Sequence, residues 1–159
     1  GCPVSELTLP AIARLCDAFY IGGTKCGALF GEAVVFPKPN TVPHFFTIVK
    51  QSGALLAKGR VLGIQFDTLF TDGLYERGGA HATAMADRIR AALTEKGYAL
   101  ASDAPTNQIF LALSPAQFAH LSAHVSMSFW EKQGKVTVMR IATSWATQEA
   151  DVERLIGLL

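Results

Sequence analysis

The stretch FYIGGTKCGALFGEAVVF, Phe19 to Phe36, places a lysine between two apolar runs, behind two glycines and a threonine. The runs DAFYIGG (17–23) and ALFGEAVVF (28–36) are short and bounded by glycine or proline. That is the pattern of strands covered on both faces. A lysine is costly there, because taking its ammonium out of water is unfavourable unless a partner neutralises it. Lys25 therefore either reaches the surface at its strand's end or does chemistry. A desolvated pocket would lower its pKa and free the amine to attack a carbonyl. Gly22, Gly23 and Gly27 would let a flat ring approach the backbone, and Thr24 adds a hydroxyl beside the amine. The Gly-x4-Gly-Lys-Ser/Thr spacing of a phosphate loop is absent.

The rest of the chain sets bounds on this choice. It has 159 residues, 50% hydrophobic and 17% charged, enough for a globular domain with a core. A formal net charge of +1 and the lack of a basic run give no electrostatic reason to expect nucleic acid. No apolar stretch reaches the roughly 18 residues of a membrane span, and no signal peptide is visible. Cys2, Cys16 and Cys26, odd in number, suit reduced thiols in a cytoplasm better than a disulfide framework. The start at Gly1, without an initiator Met, reads as a cut into a longer polypeptide.

Along the chain, TLPAIARL (8–15) predicts a short helix with Pro10 in its first turn, and PKPNTVP (37–43) a break. From His44 to Gly97 the pattern is mostly helical, beginning with a short piece over 44–51. The next carries Val61, Leu62, Ile64, Phe66, Leu69, Phe70 and Leu74, apolar on most sides, and is expected to be largely buried. The third carries Met85, Ile89 and Leu93 on one face and ends at Gly97. NQIFLAL (107–113) predicts a strand. Ser114, Pro115 and Gln117 form a capping-box start for the helix that follows. VSMSFWEK and KVTVMRIATSW predict a hairpin through Gln133-Gly134. Thr147 is the expected cap of a last helix bearing Val152, Leu155, Ile156 and Leu159. Residues 98–159 thus read as β-α-β-β-α, a small α+β unit.

At YIGGTKCGALFGEAVVF the sequence resembles the cofactor-lysine segment of the low-specificity threonine aldolase family, grouped with the β-eliminating lyases. The likeness continues through LLAKGRVLGIQF, PTNQIF and MRIATSWAT. It implies an α/β chain with part of the pyridoxal-phosphate-dependent transferase-like fold. Residues 1–97 would be the last strands and helices of the large cofactor-binding domain, with interdomain helices. Residues 98–159 would be the small α+β C-terminal domain. The resemblance makes Lys25 the Schiff-base lysine of pyridoxal 5'-phosphate, with Thr24 beside it. Arg60 would help hold the cofactor phosphate, in its own or a neighbouring subunit's site, since the family's sites lie at dimer interfaces. Arg140 would clamp the substrate carboxylate, for which a planar, permanently charged fork is suited.

The implied reaction is cleavage of 3-hydroxy amino acids such as threonine to glycine and an aldehyde, in a cytoplasmic homo-oligomer without nucleic-acid or membrane partners. Other lyases or aminotransferases of the fold, and a folded non-catalytic fragment, are the alternatives. An upstream half would supply the glycine-containing phosphate loop, a ring-stacking side chain and the acid that pairs with the ring nitrogen. Asp17 lies on the wrong side of the motif for that acid.

Plainer readings stand beside these. Alternation puts Arg140 on the face of Val136, Val138 and Ala142, where it wants an anion, yet an acid such as Glu131 across the hairpin could serve. His120 and His124, four apart, lack an evident third ligand, so no metal site is expected. His44 and His81 have no recognisable partner. Cys26 reads as a small buried thiol, Trp130 and Trp145 as packing residues, and Thr106-Asn107 as a turn cap.

Overall fold

Residues 7–159 are described in a computed structural model of the chain, and two antiparallel sheets organise them. They fall into two compact units, 7–75 and Glu76–Leu159. Cys2 lies outside the described residues.

In the first unit, α1 (Leu9–Leu15) starts where Thr8 accepts a hydrogen bond from the Ala11 amide, with Pro10 in the first turn. Strands β1 (Phe19–Gly22) and β2 (Glu32–Val35) pair antiparallel, Phe19 with Val35 and Gly22 with Glu32. Short α2 (Phe45–Gln51) and longer α3 (Arg60–Phe70) follow. A single 3-10 turn over Thr71–Gly73, with Asp72 at φ 51°, ends α3 before Leu74.

Two expectations fail here for one reason. The strands are not covered on both faces: Tyr20 and its partner Val34 are 69% and 61% exposed. Nor is α3 largely buried, since Leu69 alone of its residues is buried and Ile64 is 61% exposed. Apolar patterning marks which side chains gain from burial; it does not supply the surface that buries them.

The second unit supplies its own. Helix α4 (Leu74–Glu95) leads in, with Gly97 beyond it at φ 78°. β3 (Ala99–Leu100), β4 (Gln108–Leu113), β5 (Ser128–Gln133) and β6 (Val136–Ala142) form one antiparallel sheet in the order β3-β4-β6-β5. α5 (Pro115–Ser122) opens with the capping box: Ser114 Oγ accepts from the Gln117 amide, and the Gln117 side chain accepts from the Ser114 amide. α6 (Glu149–Leu158) closes the chain, and its N-cap is Gln148 rather than Thr147. Thr147 instead accepts from the Ser144 amide at 2.8 Å, bracing the loop before the helix.

Alternation along β4 and β6 divides the sheet. Ile109, Leu111, Leu113 and Met139 meet Met85, Ala86, Ile89 and Leu93 of α4, Leu121 of α5 and Val152 of α6 in one core. Each fully buried Leu or Ile contributes about 1.5–3 kcal/mol relative to exposure. Gln108, Phe110, Ala112, Val138 and Arg140 occupy the alternate positions and therefore lie on the opposite face.

Candidate active site

Lys25 sits in the loop that joins β1 to β2. The Gly23 carbonyl accepts from both the Cys26 and Ala28 amides, at 2.9 and 3.0 Å, closing a tight turn around Thr24 and Lys25. The loop is held from the side by α3. Gln65 Oε1 accepts from the Leu29 and Phe30 amides at 2.7 and 3.3 Å, and its Nε2 donates to the Phe30 carbonyl at 3.4 Å. Packing completes the clamp at two glycines. A Cβ on Gly23 would lie 2.8 Å from both Ala28 Cβ and Phe66 Cζ. One on Gly31, at φ +87°, would fall 2.0 Å from Leu62 Cδ2. Both positions need the missing side chain, and Gly31 also needs the left-handed backbone.

The turn therefore fixes the lysine's backbone and leaves its amine free. Lys25 and Thr24 are exposed, so the pocket expected around the amine is not supplied by this unit. Among the described residues, no hydrogen bond or ion pair engages Lys25 Nζ, the Thr24 hydroxyl or the Arg60 guanidinium. Arg60 is exposed at the first position of α3, the helix whose later turns clamp the lysine loop. Asp17 is exposed and pairs with Lys38 at 3.1 Å. Cys26 is half-buried with a free thiol, as is Cys16.

Arg140 belongs to the second unit. It lies mid-strand on β6, opposite Phe110 of β4 and Ser128 of β5. Its Nη1 donates to Gln108 Oε1 at 3.4 Å, and its Cζ lies 5.7 Å from the Trp130 ring centroid. Its Nε is buried without a hydrogen-bond partner. The plainer reading, an ion pair with Glu131, does not occur: among the described residues no carboxylate pairs with Arg140, and Glu131 accepts from Gln133 at 2.7 Å. A guanidinium half out of water, without a counter-ion, retains its capacity to bind an anion.

The end of β6 is fixed by a small network. Thr143, buried, donates through its hydroxyl to the Ala82 carbonyl at 2.6 Å and through its amide to the Asn107 carbonyl at 3.0 Å. Asn107 Nδ2 donates back to the Thr143 carbonyl at 2.7 Å, and Thr106 Oγ1 accepts from the Gln108 amide at 3.2 Å. The pair is a turn cap and also a tie between β4 and β6, three residues from Arg140.

Other candidates receive structural partners. His81, without a recognisable partner in sequence, meets the Thr147 carbonyl at 2.8 Å. His120 meets the Leu158 carbonyl at 2.9 Å, with the His124 ring 5.8 Å away. Trp130 and Trp145 are about half exposed rather than simply packed. Sequence reasoning missed Gln65 and Gln108. Gln65 carries a readable signal, a polar side chain on the apolar stripe of Leu62 and Leu69, whereas Gln108 carries none.

Solved structures share the fold of this chain. The chain matches Leishmania major threonine aldolase with a TM-score of 0.89 and 41% identity, over 98% of this chain and 46% of that one. It matches Sphingomonas wittichii serine palmitoyltransferase with a TM-score of 0.64 and 16% identity, over 93% and 40%. A further match, at 0.50 and 13%, is to a structure of SPT with its pyridoxal-phosphate internal aldimine. The last two identities speak for fold alone. The chain thus has part of the α/β fold of pyridoxal-phosphate-dependent transferases.

In sequence, it is 32% identical over 156 residues to the low specificity L-threonine aldolase of Pseudomonas sp. strain NCIMB 10558, covering 98% of this chain and 44% of that protein. Against the Pseudomonas aeruginosa protein of the same name the figures are 31% over 157 residues, 98% and 43%. No family model matches the chain. It is similar to the low-specificity threonine aldolases and spans under half the length of those it matches.

Proposed function

We propose that this chain is the C-terminal part of a pyridoxal-phosphate-dependent, threonine-aldolase-type lyase that cleaves 3-hydroxy amino acids to glycine and an aldehyde. The observation that carries the reading is the match to the Leishmania major threonine aldolase over 98% of the chain. In this reading residues 1–97 end the large cofactor-binding domain and 98–159 form the small domain.

The donor set fits the cofactor. Lys25 offers an unengaged amine to its aldehyde, while Thr24 and Arg60 offer a hydroxyl and a guanidinium to its phosphate. When bound, the cofactor supplies an electron sink for the charge left at the substrate's Cα as the Cα–Cβ bond breaks. The chain's residues do the holding. The Gly23 turn and the Gln65 clamp fix the backbone from which Lys25 reaches the cofactor. Arg140 binds the substrate carboxylate through its fork, orienting the amino acid by two parallel hydrogen bonds.

The base for the substrate hydroxyl, and the acid that pairs with the ring nitrogen, come from the part of the relatives that this chain does not span. The working enzyme is a cytoplasmic homo-oligomer with its site at a subunit interface, and the 159-residue chain alone has no aldolase activity. β-Elimination or transamination would use Lys25 and Arg140 equally, and the product, an aldehyde or else pyruvate or ammonia, separates these reactions.

Lys25→Ala in the full-length protein is expected to abolish both threonine cleavage and the visible absorbance of bound cofactor after dialysis. A mutant that keeps a borohydride-reducible chromophore contradicts the assignment. Arg140→Lys replaces a fork by a point charge and is expected to lower kcat/KM by about 1.5–3 kcal/mol, the worth of a charged hydrogen bond. Wild-type kcat/KM in that mutant removes Arg140 from the site.

A further inference from the structure

The surroundings of Arg140 contain a feature that the cleavage reaction itself does not require. Ser128 pairs with Arg140 and Phe129 with Met139, but Val138 pairs with Glu131, so Trp130 is the extra residue of a β-bulge. Bulges re-aim side chains. Here the Trp130 ring is turned over the guanidinium, with Arg140 Cζ 5.7 Å from its centroid. Phe110, the direct cross-strand partner of Arg140, meets the Trp130 ring edge-on at 4.9 Å and fixes its tilt. On the other side Gln108 accepts from Nη1 at 3.4 Å.

Both contacts share a property: each attracts a cation and neither cancels its charge. The ring face acts through its quadrupole and the amide oxygen through a neutral dipole. The acid of the adjacent strand, Glu131, is engaged by Gln133. A half-buried arginine would ordinarily be matched with a carboxylate; this one is held in place while its counter-ion is withheld. We propose that Trp130 and Gln108 are positioning residues that keep Arg140 an open receptor for the carboxylate of the amino-acid substrate. The inference rests on the reading of Arg140 as the carboxylate clamp.

The test uses the full-length protein with threonine as substrate, and measures kcat, KM, bound-cofactor absorbance and melting temperature. Gln108→Glu is nearly isosteric and places a carboxylate where Nη1 now meets an amide. It is expected to raise KM about tenfold or more with kcat within about twofold, because it competes for a group that binds substrate. Trp130→Leu is expected to raise KM about three- to tenfold, and Trp130→Phe, which restores a ring face, to return it to within about twofold of wild type. Cofactor absorbance should be unchanged in all three.

An unchanged KM in Gln108→Glu, with Arg140→Lys impaired, overturns the inference and leaves the clamp standing. An unimpaired Arg140→Lys instead overturns the clamp and the inference with it. Equal loss of kcat and cofactor in Trp130→Leu and Trp130→Phe assigns Trp130 a merely structural role and also counts against the proposal. Should Trp130→Leu fail to fold, Gln108→Glu decides.

Discussion

The two units of the chain solve the burial problem differently. In Glu76–Leu159, four strands and three helices enclose Leu93, Ile109, Leu111, Leu113, Leu121 and Val152 on one side of a sheet. In 7–75, two strands and three helices leave Tyr20, Leu29, Val34, Phe46 and Ile64 exposed. The side chains are equally apolar, so composition does not separate the units. Layering does: a four-stranded sheet with helices packed on it buries its own face, and a two-stranded ribbon does not. Lys25 belongs to the unit with less core, where binding another surface or a ligand still has area to cover. The arginine belongs to the unit whose sheet is already anchored.

The largest effect expected from this contrast is in the core. Leu111→Ala should destabilise the Glu76–Leu159 unit by about 2–5 kcal/mol, whereas Ile64→Ala in the chain alone should change stability by less than about 0.5 kcal/mol. Denaturant melts of the two variants check this, and equal losses would break the contrast. Next comes the lysine loop. Gly31→Ala forces a Cβ into Leu62 at a left-handed position and should cost about 1–3 kcal/mol by overpacking and backbone strain, read as faster hydrogen exchange at the Leu29 and Phe30 amides. Thr143→Val removes the hydroxyl's bond to Ala82 and should cost about 1–2 kcal/mol in thermal melts of the second unit. The smallest is Ser114→Ala, which removes one half of the capping box and should cost about 1 kcal/mol.

Sequence legibility followed the same division. Met85, Ile89 and Leu93, the β4 strand, the hairpin turn and the Ser114 box could be read because each answers to a local rule met within its own unit. β3, only two residues long, carries too little pattern to see. The exposure of α3 and of the β1–β2 ribbon was not legible either, since periodicity identifies an apolar face and says nothing of its cover. Thr147 braces the loop while Gln148 is the N-cap of the helix, because a hydroxyl just before a helix serves equally in either role. At the candidate site, Lys25 and its glycines could be read from residue type and order. The Gln65 clamp, 40 positions further on, and the Trp130 bulge depend on docking and register, which residue type alone does not encode.

The proposed function turns on Lys25 being the cofactor's covalent anchor. The direct measurement is borohydride reduction of the full-length protein as purified, followed by peptide mapping by mass spectrometry. The expected result is a stable phosphopyridoxyl mass addition on the peptide containing Lys25, at close to one per chain and absent from the peptides of Lys38, Lys50 and Lys58. An addition at another lysine in place of Lys25, or none in protein that cleaves threonine, would rule out Lys25 as the anchor.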